Sequence, residues 1–179
     1  MKSYSRIGFI PALSILLGLA WVVPGLLAEE GKGMDTTLKG LRGIFVQVVP
    51  VGPETREKGF IDHQLKKDAE QQIWDAGIKT LTIKEYDRLK RSRRYPLARL
   101  DLTTSVHDIK GKDVMVFDIV VQVRQVVFLA RKPVINIMAP TWEKRKLGYS
   151  ESLPLIHKEV RKAVTRFIDA YTAANPETR

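Results

Sequence analysis

Apolar and polar positions alternate with the period of a strand in several parts of the chain. Residues 97–106 and 114–131 show this period of two, which is typical of strands with one buried face. A β-branched run over residues 41–49, stopped by Pro50, predicts another strand, and 133–141 and the short segment 78–81 predict two more. After Gln125 the apolar phase switches to Val126 and Phe128, which predicts a β-bulge or a sharp twist near Gln125 that restores the buried face.

Helical spacing is found in two longer segments, 63–75 and 152–175. Asp62 is expected to cap the first of these helices, and Gly77 to end it in a left-handed conformation. Thr82 and Glu85 have the spacing of a capping box, which predicts a short helix to about Arg91. The order β-α-β-α-β-β-β-α predicts an α+β (α/β two-layer) domain, with helices packed on a five-stranded mixed sheet. Residues 50–59, 91–96 and 142–149 are predicted as loops.

The first 28 residues have the pattern of an export signal. Lys2 and Arg6 precede an uncharged stretch over 7–23, and a helix-breaking Pro-Gly pair and Ala28 follow. Cleavage after Ala28 would release a periplasmic or secreted protein. The alternative is an uncleaved inner-membrane anchor facing the periplasm, since about 22 apolar residues are enough to span a bilayer. Residues 29–40 are then expected to form a flexible lead, and 41–176 a single globular domain.

Composition narrows the kinds of partner and of chemistry. The chain has 30 basic and 20 acidic residues, a net charge of +10, and loss of residues 1–28 removes only two of the basic ones. Outside the cytoplasm this balance favours anionic lipid, anionic glycan or an acidic envelope protein, and the compartment argues against nucleic acid. The chain contains no cysteine, which excludes disulfides, a thiolate nucleophile and a lipid-modified cysteine.

Two basic clusters beside aromatic residues are the candidate anion-binding residues. The first comprises Arg88, Lys90, Arg91, Arg93 and Arg94, followed by Tyr95; the second comprises Lys144, Arg145 and Lys146, preceded by Trp142. Guanidinium groups bind phosphate and carboxylate through two parallel hydrogen bonds, and aromatic rings can stack or insert at a head-group layer. We therefore expect a non-enzymatic envelope binding or assembly module. Two solvated basic loops are the alternative, and the distance between the clusters in the fold decides between them.

Evidence for catalysis or metal binding is weak. The chain has three histidines, His63, His107 and His157. No two of them stand at metal-ligand spacing, so no metal or other cofactor is predicted. A hydrolase using Asp101 and Asp118 is a third hypothesis, but nearby Arg99 and Arg124 make ion pairs the simpler explanation. The second hypothesis is a small-ligand carrier with an apolar pocket beneath the last helix.

Two sequence stretches resemble an exported bacterial family that has no assigned activity. They are Leu38-Lys-Gly-Leu-Arg-Gly-Ile-Phe-Val46 and Phe167-Ile-Asp-Ala-Tyr-Thr-Ala-Ala-Asn-Pro176. The resemblance covers most of the chain beyond the export segment, implies an envelope protein and transfers no catalytic residue. At the level of fold alone, the predicted order is similar to small α/β envelope domains such as the amino-terminal domain of the Tol-system propeller protein.

Overall fold

Four strands form one mixed sheet. The computed structural model describes residues 35–90 and 97–176, and its strands are β1 (Gly43–Val48), β2 (Leu97–Asp108), β3 (Met115–Leu129) and β4 (Lys132–Ser150). They lie in the order β1-β2-β3-β4. β1 is parallel to β2, whereas β2 with β3 and β3 with β4 are antiparallel. The last three strands therefore form the predicted meander.

The prediction of a five-stranded sheet is wrong, because segment 78–81 forms no strand of its own. It contributes one isolated bridge beside β1, between Ile44 and Thr80. Ile44 N–H donates to the Lys79 carbonyl at 2.9 Å, and Leu81 N–H donates to the Ile44 carbonyl at 2.8 Å. The segment is confined between Gly77, whose φ is 78°, and the helix cap at Thr82, so it is too short to build a ladder.

The loop predicted over residues 142–149 is also wrong, since these residues continue β4 without a break to Ser150. Side chains there do alternate between the two faces of the sheet. The consecutive cations Lys144, Arg145 and Lys146 hide that alternation in the sequence, because long charged side chains occupy both faces. A register shift does occur beside the predicted position, between Val123 and Arg124, but its extra residue is Thr141 of β4. β3 itself keeps its phase, so the expected return of Val126 and Phe128 to the buried face is wrong, and both stay exposed on the open face.

Four helices accompany the sheet: α1 (Pro53–Glu57), α2 (Asp62–Asp75), α3 (Ile83–Lys90) and α4 (Leu153–Ala174). The short α1 lies in the predicted loop 50–59, where Pro53 sets a helical φ at its first turn. The capping box of α3 is confirmed, with Thr82 N–H donating to Glu85 Oε2 at 2.9 Å and Glu85 N–H donating to Thr82 Oγ1 at 3.2 Å. Within the described ranges, no helix is both long and apolar enough to cross a membrane.

Helices α2 and α4 cover one face of the sheet and enclose the core. Strand side chains in this core are completely or almost completely buried: Ile44, Val46, Leu100, Leu102, Ile119, Val121, Val123 and Trp142. From α4, Phe167 meets the Trp142 ring edge-on with centroids 5.7 Å apart. A separate small cluster of Phe45, Leu81 and Tyr86 lies on the opposite face, where α3 covers the edge at β1.

The end of the predicted flexible lead packs against the body in residues 35–40; residues 29–34 lie outside the described part. Leu38 is fully buried in a 3-10 turn over Thr36–Leu38. Gly40 N–H donates to Asn175 Oδ1 at 2.6 Å, and Asn175 Nδ2 donates to the Leu38 carbonyl at 2.9 Å. The two ends of the folded region therefore meet.

Candidate anion-binding surface

The sheet face that points away from α2 and α4 is here termed the open face. On β2 it presents Arg99, Asp101, Thr103 and Ser105, which alternate with the core residues of the same strand. Among the described residues, helix α3 covers this face at β1, where Phe45 and Tyr86 stack with centroids 4.9 Å apart, and at Leu97 at the start of β2. The β2–β3 part of this face is therefore available to a partner.

A carboxylate and two guanidinium groups occupy one end of the open face. Arg99 on β2 is paired in register with Arg124 on β3, which places two like charges on adjacent strands. Asp101, whose side chain is 7% exposed, lies between them. Arg99 Nη2 donates to Asp101 Oδ2 at 2.8 Å, and Arg124 Nη1 lies 4.0 Å from the same oxygen. One carboxylate thus faces two cations, which leaves a local charge of +1.

Several polar atoms of this group lack hydrogen bonds. Arg99 Nε lies 2.7 Å from Asp101 Oδ1, but its N–H is not directed at that oxygen. Arg124 Nε likewise has no acceptor among the described residues. Buried donors without acceptors cost free energy. The side chains of Arg99 and Arg124 as a whole keep 26% and 33% of their surface exposed. The buried Nε atoms are out of reach of an incoming anion, so an anion on the open face would pair with the exposed parts of the two guanidinium groups and offset their excess positive charge.

Part of the first predicted cluster lies beside this pair. Leu89 of α3 and Leu97 of β2 pack on the same Phe45–Leu81–Tyr86 cluster, so the end of α3 adjoins the start of β2. Arg88 and Lys90 are exposed on that end, and Lys90 Nζ lies 5.9 Å from the centre of the Tyr86 ring. Burial raises the pKa of Tyr86, and the positive charge of Arg99 opposes the rise.

Four further members of the first cluster cannot be placed. They lie outside the described residues: Arg91, Arg93, Arg94 and Tyr95. They belong to the six-residue connection from α3 to β2.

The second predicted cluster is divided between the two sheet faces. Arg145 lies on the open face and donates to both oxygens of Asp118, at 2.8 and 2.7 Å. This hydrogen bonding raises the pKa of Arg145. Lys144 and Lys146 are in register with the core residues Val121 and Ile119, so they point to the helix side. The three cations therefore do not form one binding cluster.

Trp142 is not a surface residue. It is fully buried, and its Nε1 donates to Asp35 Oδ1 at 2.8 Å. The basic run that follows Trp142 in the sequence suggests a loop. In the structure Trp142 belongs to β4 and pairs with core residue Val123.

The described parts of the two clusters lie at opposite lateral edges of the sheet. Arg88 and Lys90 adjoin the β1–β2 side, whereas Lys144, Arg145 and Lys146 belong to the outer strand β4. Between them lie Arg99 and Arg124, which sequence reasoning treats only as ion-pair partners. The alternation of side chains along each strand could have placed both arginines on the open face from the sequence alone. Their register, which makes them neighbours, required the structure.

The described residues offer little for the other two hypotheses. Asp101 and Asp118 each pair with an arginine, and their register positions are four residues apart on β2, or about 13 Å at 3.3 Å per residue. No group of three potential metal ligands occurs among the described residues. Beneath α4, a gap lined by Leu65, Leu102 and Val164 has about 20 Å³, enough for about one water. A cleft of about 650 Å³ lies beside the end of α4 at Ile78, Ile168 and Pro176, but it is open to solvent and encloses no interior pocket.

Two histidines have specific neighbours. His157 stacks on Phe60 with centroids 4.1 Å apart, and burial, with a smaller effect of Arg161, lowers its pKa. His107 Nδ1 lies 2.7 Å from Glu54 Oε2, and this hydrogen bond lowers the pKa of Glu54. These contacts explain the histidines structurally and assemble no catalytic group.

The chain matches no protein-family model, and no curated protein matches it. Among solved structures it is similar to a dodecamer of a PelC variant from Paraburkholderia phytofirmans, with 16% sequence identity and a TM-score of 0.38. The similarity covers 74% of this chain and 91% of that chain. A score of this size describes a loosely similar arrangement, and no inference about function or assembly follows from it.

Proposed function

We propose that this chain is an exported, non-enzymatic binding module of the cell envelope that holds an anionic group at Arg99 and Arg124 on the open face. The observation that carries the proposal is the pair of adjacent guanidinium groups that share one carboxylate and keep 26% and 33% of their side-chain surface exposed. Phosphate and carboxylate groups fit such donors in geometry and in charge.

The neighbouring charges support an anion at this position. Arg88 and Lys90 are exposed on the adjoining end of α3, and the first cluster continues in the sequence as Arg91, Arg93 and Arg94. These cations increase the local concentration of an approaching anion and make its binding sensitive to salt. The arginine pair would form directed hydrogen bonds to the anion, whereas the surrounding cations would attract it through their charge alone.

Titration followed by NMR at the arginine Nε–H groups tests this proposal with inorganic phosphate, acetate and an acidic oligosaccharide as probes. We expect saturable shifts at Arg99 and Arg124, with phosphate binding at least about tenfold weaker after Arg124→Gln, since one charge-assisted hydrogen bond contributes about 1.5–3 kcal/mol. Arg124→Lys keeps the charge but replaces the planar fork of guanidinium donors by a single ammonium group, so it should lose most of the same affinity. Arg124 is chosen because its loss leaves the Arg99–Asp101 pair in place.

Arg166→Gln is the matched control, because it removes an exposed arginine of α4 on the other side of the sheet. This variant should bind phosphate like the unaltered chain. Equal binding by Arg124→Gln and Arg166→Gln, or shifts that respond only to total charge, would show that the arginine pair is not the site.

A further inference from the structure

A β-hairpin extends beyond the rest of the sheet. The ladder between β2 and β3 ends at the pair Arg99 and Arg124, yet β3 and β4 continue to pair with each other as far as Leu129 and Lys132. Among the described strands, residues 125–139, here termed the arm, therefore pair only with each other. The arm begins directly beside Arg124 of the proposed anion site.

Both faces of the arm are apolar and exposed. Val126 and Phe128 continue the open face and are 44% and 58% exposed. On the opposite face Ile137 is 47% exposed, and its register partner Val127 is half-buried. Near the tip, Val134 is 81% exposed. A two-stranded hairpin with both faces in water is marginally stable at best, so this arm calls for a partner.

The charges of the arm are all of one sign. Between Asp118 and Glu143 the sequence contains no acidic residue, whereas Arg124, Arg131 and Lys132 are positive. Arg131 forms part of the turn at the tip. Cations beside exposed aliphatic and aromatic side chains match the head-group region of an anionic bilayer, where apolar groups meet phosphate oxygens.

We propose that the arm inserts into the interfacial layer of an anionic lipid surface. The inference deepens the proposed function, on which it rests for the anionic partner. A flat protein surface would cover only one face of the arm, and the arm of a second copy would bring no acidic residue to pair with Arg131 and Lys132. Immersion at the head-group boundary covers both faces together and pairs the cations with phosphate.

The amino-terminal part of the described structure contacts the root of the arm. Thr37 Oγ1 donates to the Thr141 carbonyl at 2.9 Å, and Gln125 Nε2 donates to the Thr37 carbonyl at 2.9 Å. Residues preceding Thr37 in the sequence, which include the uncharged stretch 7–23, therefore connect to the fold at the root of the arm.

A single-cysteine label measures insertion directly, because the chain contains no native cysteine. Val134→Cys carries an environment-sensitive dye at the tip of the arm. Lys112→Cys is the matched control, since it lies in the turn between β2 and β3 at the other end of β3. The full chain is mixed with phosphatidylglycerol-containing vesicles, with phosphatidylcholine vesicles and with buffer. We expect a blue shift and protection from an aqueous quencher only at Val134, only with the anionic vesicles, and weaker at high salt.

Substitution of the arm provides a second measurement. Phe128→Ser and Val134→Ser should each weaken vesicle partitioning about tenfold, as expected when one large apolar side chain is no longer buried. Leu155→Ser, at a residue of α4 that is 55% exposed, should leave partitioning unchanged. Far-UV circular dichroism confirms the fold of each variant.

Three results overturn the inference. The first is a Val134 label that stays quenchable on anionic vesicles while phosphate still shifts Arg124, which leaves the proposed function intact. The second is protection that depends on protein concentration without vesicles and accompanies dimer formation in sedimentation, which assigns the arm to a second copy. The third is equal insertion into phosphatidylcholine, which removes the requirement for anionic lipid. Loss of phosphate binding with normal labelling would instead refute the arginine site.

Discussion

Replacement of Trp142 by Phe tests whether this residue belongs to the core or to a binding surface. The side chain is fully buried, donates to Asp35 Oδ1 at 2.8 Å and contacts Phe167 edge-on. Phe retains an aromatic ring but has no N–H and is smaller. The variant should therefore lose stability rather than affinity for an anionic partner.

The expected loss follows from two contributions. A hydrogen bond to a charged acceptor contributes about 1.5–3 kcal/mol, and the low end applies because Asp35 is partly exposed and can return to water. A void of roughly 40 Å³ costs about 1 kcal/mol at ~24 cal/mol per Å³. Together they predict a decrease of about 2–3 kcal/mol in the free energy of unfolding.

Urea unfolding followed by far-UV circular dichroism measures this decrease without depending on tryptophan fluorescence. Trp74→Phe is the matched control, since Trp74 is 63% exposed and a surface substitution typically changes stability by less than about 0.5 kcal/mol. A double-mutant cycle with Asp35→Ala should give a coupling of about 1 kcal/mol between the two side chains. A loss no larger than that of Trp74→Phe would refute the buried position and return Trp142 to the surface.

Three further substitutions test the packing and electrostatics. Gly148→Ala should destabilise by about 1–3 kcal/mol, because its Cβ would lie 2.6 Å from Phe117 Cζ; urea unfolding checks this, and Phe117→Leu in the same chain should recover part of the loss. Thr104→Val should raise stability by about 1 kcal/mol, since the buried Oγ1 has no hydrogen bond among the described residues; a lower unfolding midpoint would contradict this. The lowered pKa of His157 means that the unfolded chain takes up a proton first as pH falls below about 6.5. Stability should then decline toward pH 5 more steeply than in His157→Asn, and equal slopes would exclude a contribution from this histidine.

Local sequence patterns were sufficient for elements whose signals are short-range. The capping box at Thr82 and the left-handed glycine at Gly77 are determined by neighbouring residues, and the structure contains both. The phase switch after Gln125 marks the place where β3 leaves the core, since its apolar residues Val126 and Phe128 continue on the open face and are exposed. The meander and the long last helix follow from the same periodicities.

Contacts between distant residues explain what the sequence missed. Segment 78–81 has strand-forming residues, but tertiary packing allows it only one bridge to Ile44. The basic run after Trp142 resembles a loop, and only the ladder to β3 shows it as strand. The candidate site was missed for the same reason, since Arg99 and Arg124 are 25 positions apart in the sequence and become neighbours through register.

The mixed order of strands has a consequence for how the chain folds. Six residues join β2 to β3 and two join β3 to β4, whereas the parallel pair β1–β2 is separated by 48 residues. Closing the longest connection costs about 2 kcal/mol more than closing the six-residue one, from the logarithmic dependence on loop length. The meander should therefore form early, and β1 should join once α2 and the core residues of β2 hold a surface for it. In a chain that crosses a membrane before it folds, the amino-terminal strand would emerge first but dock last.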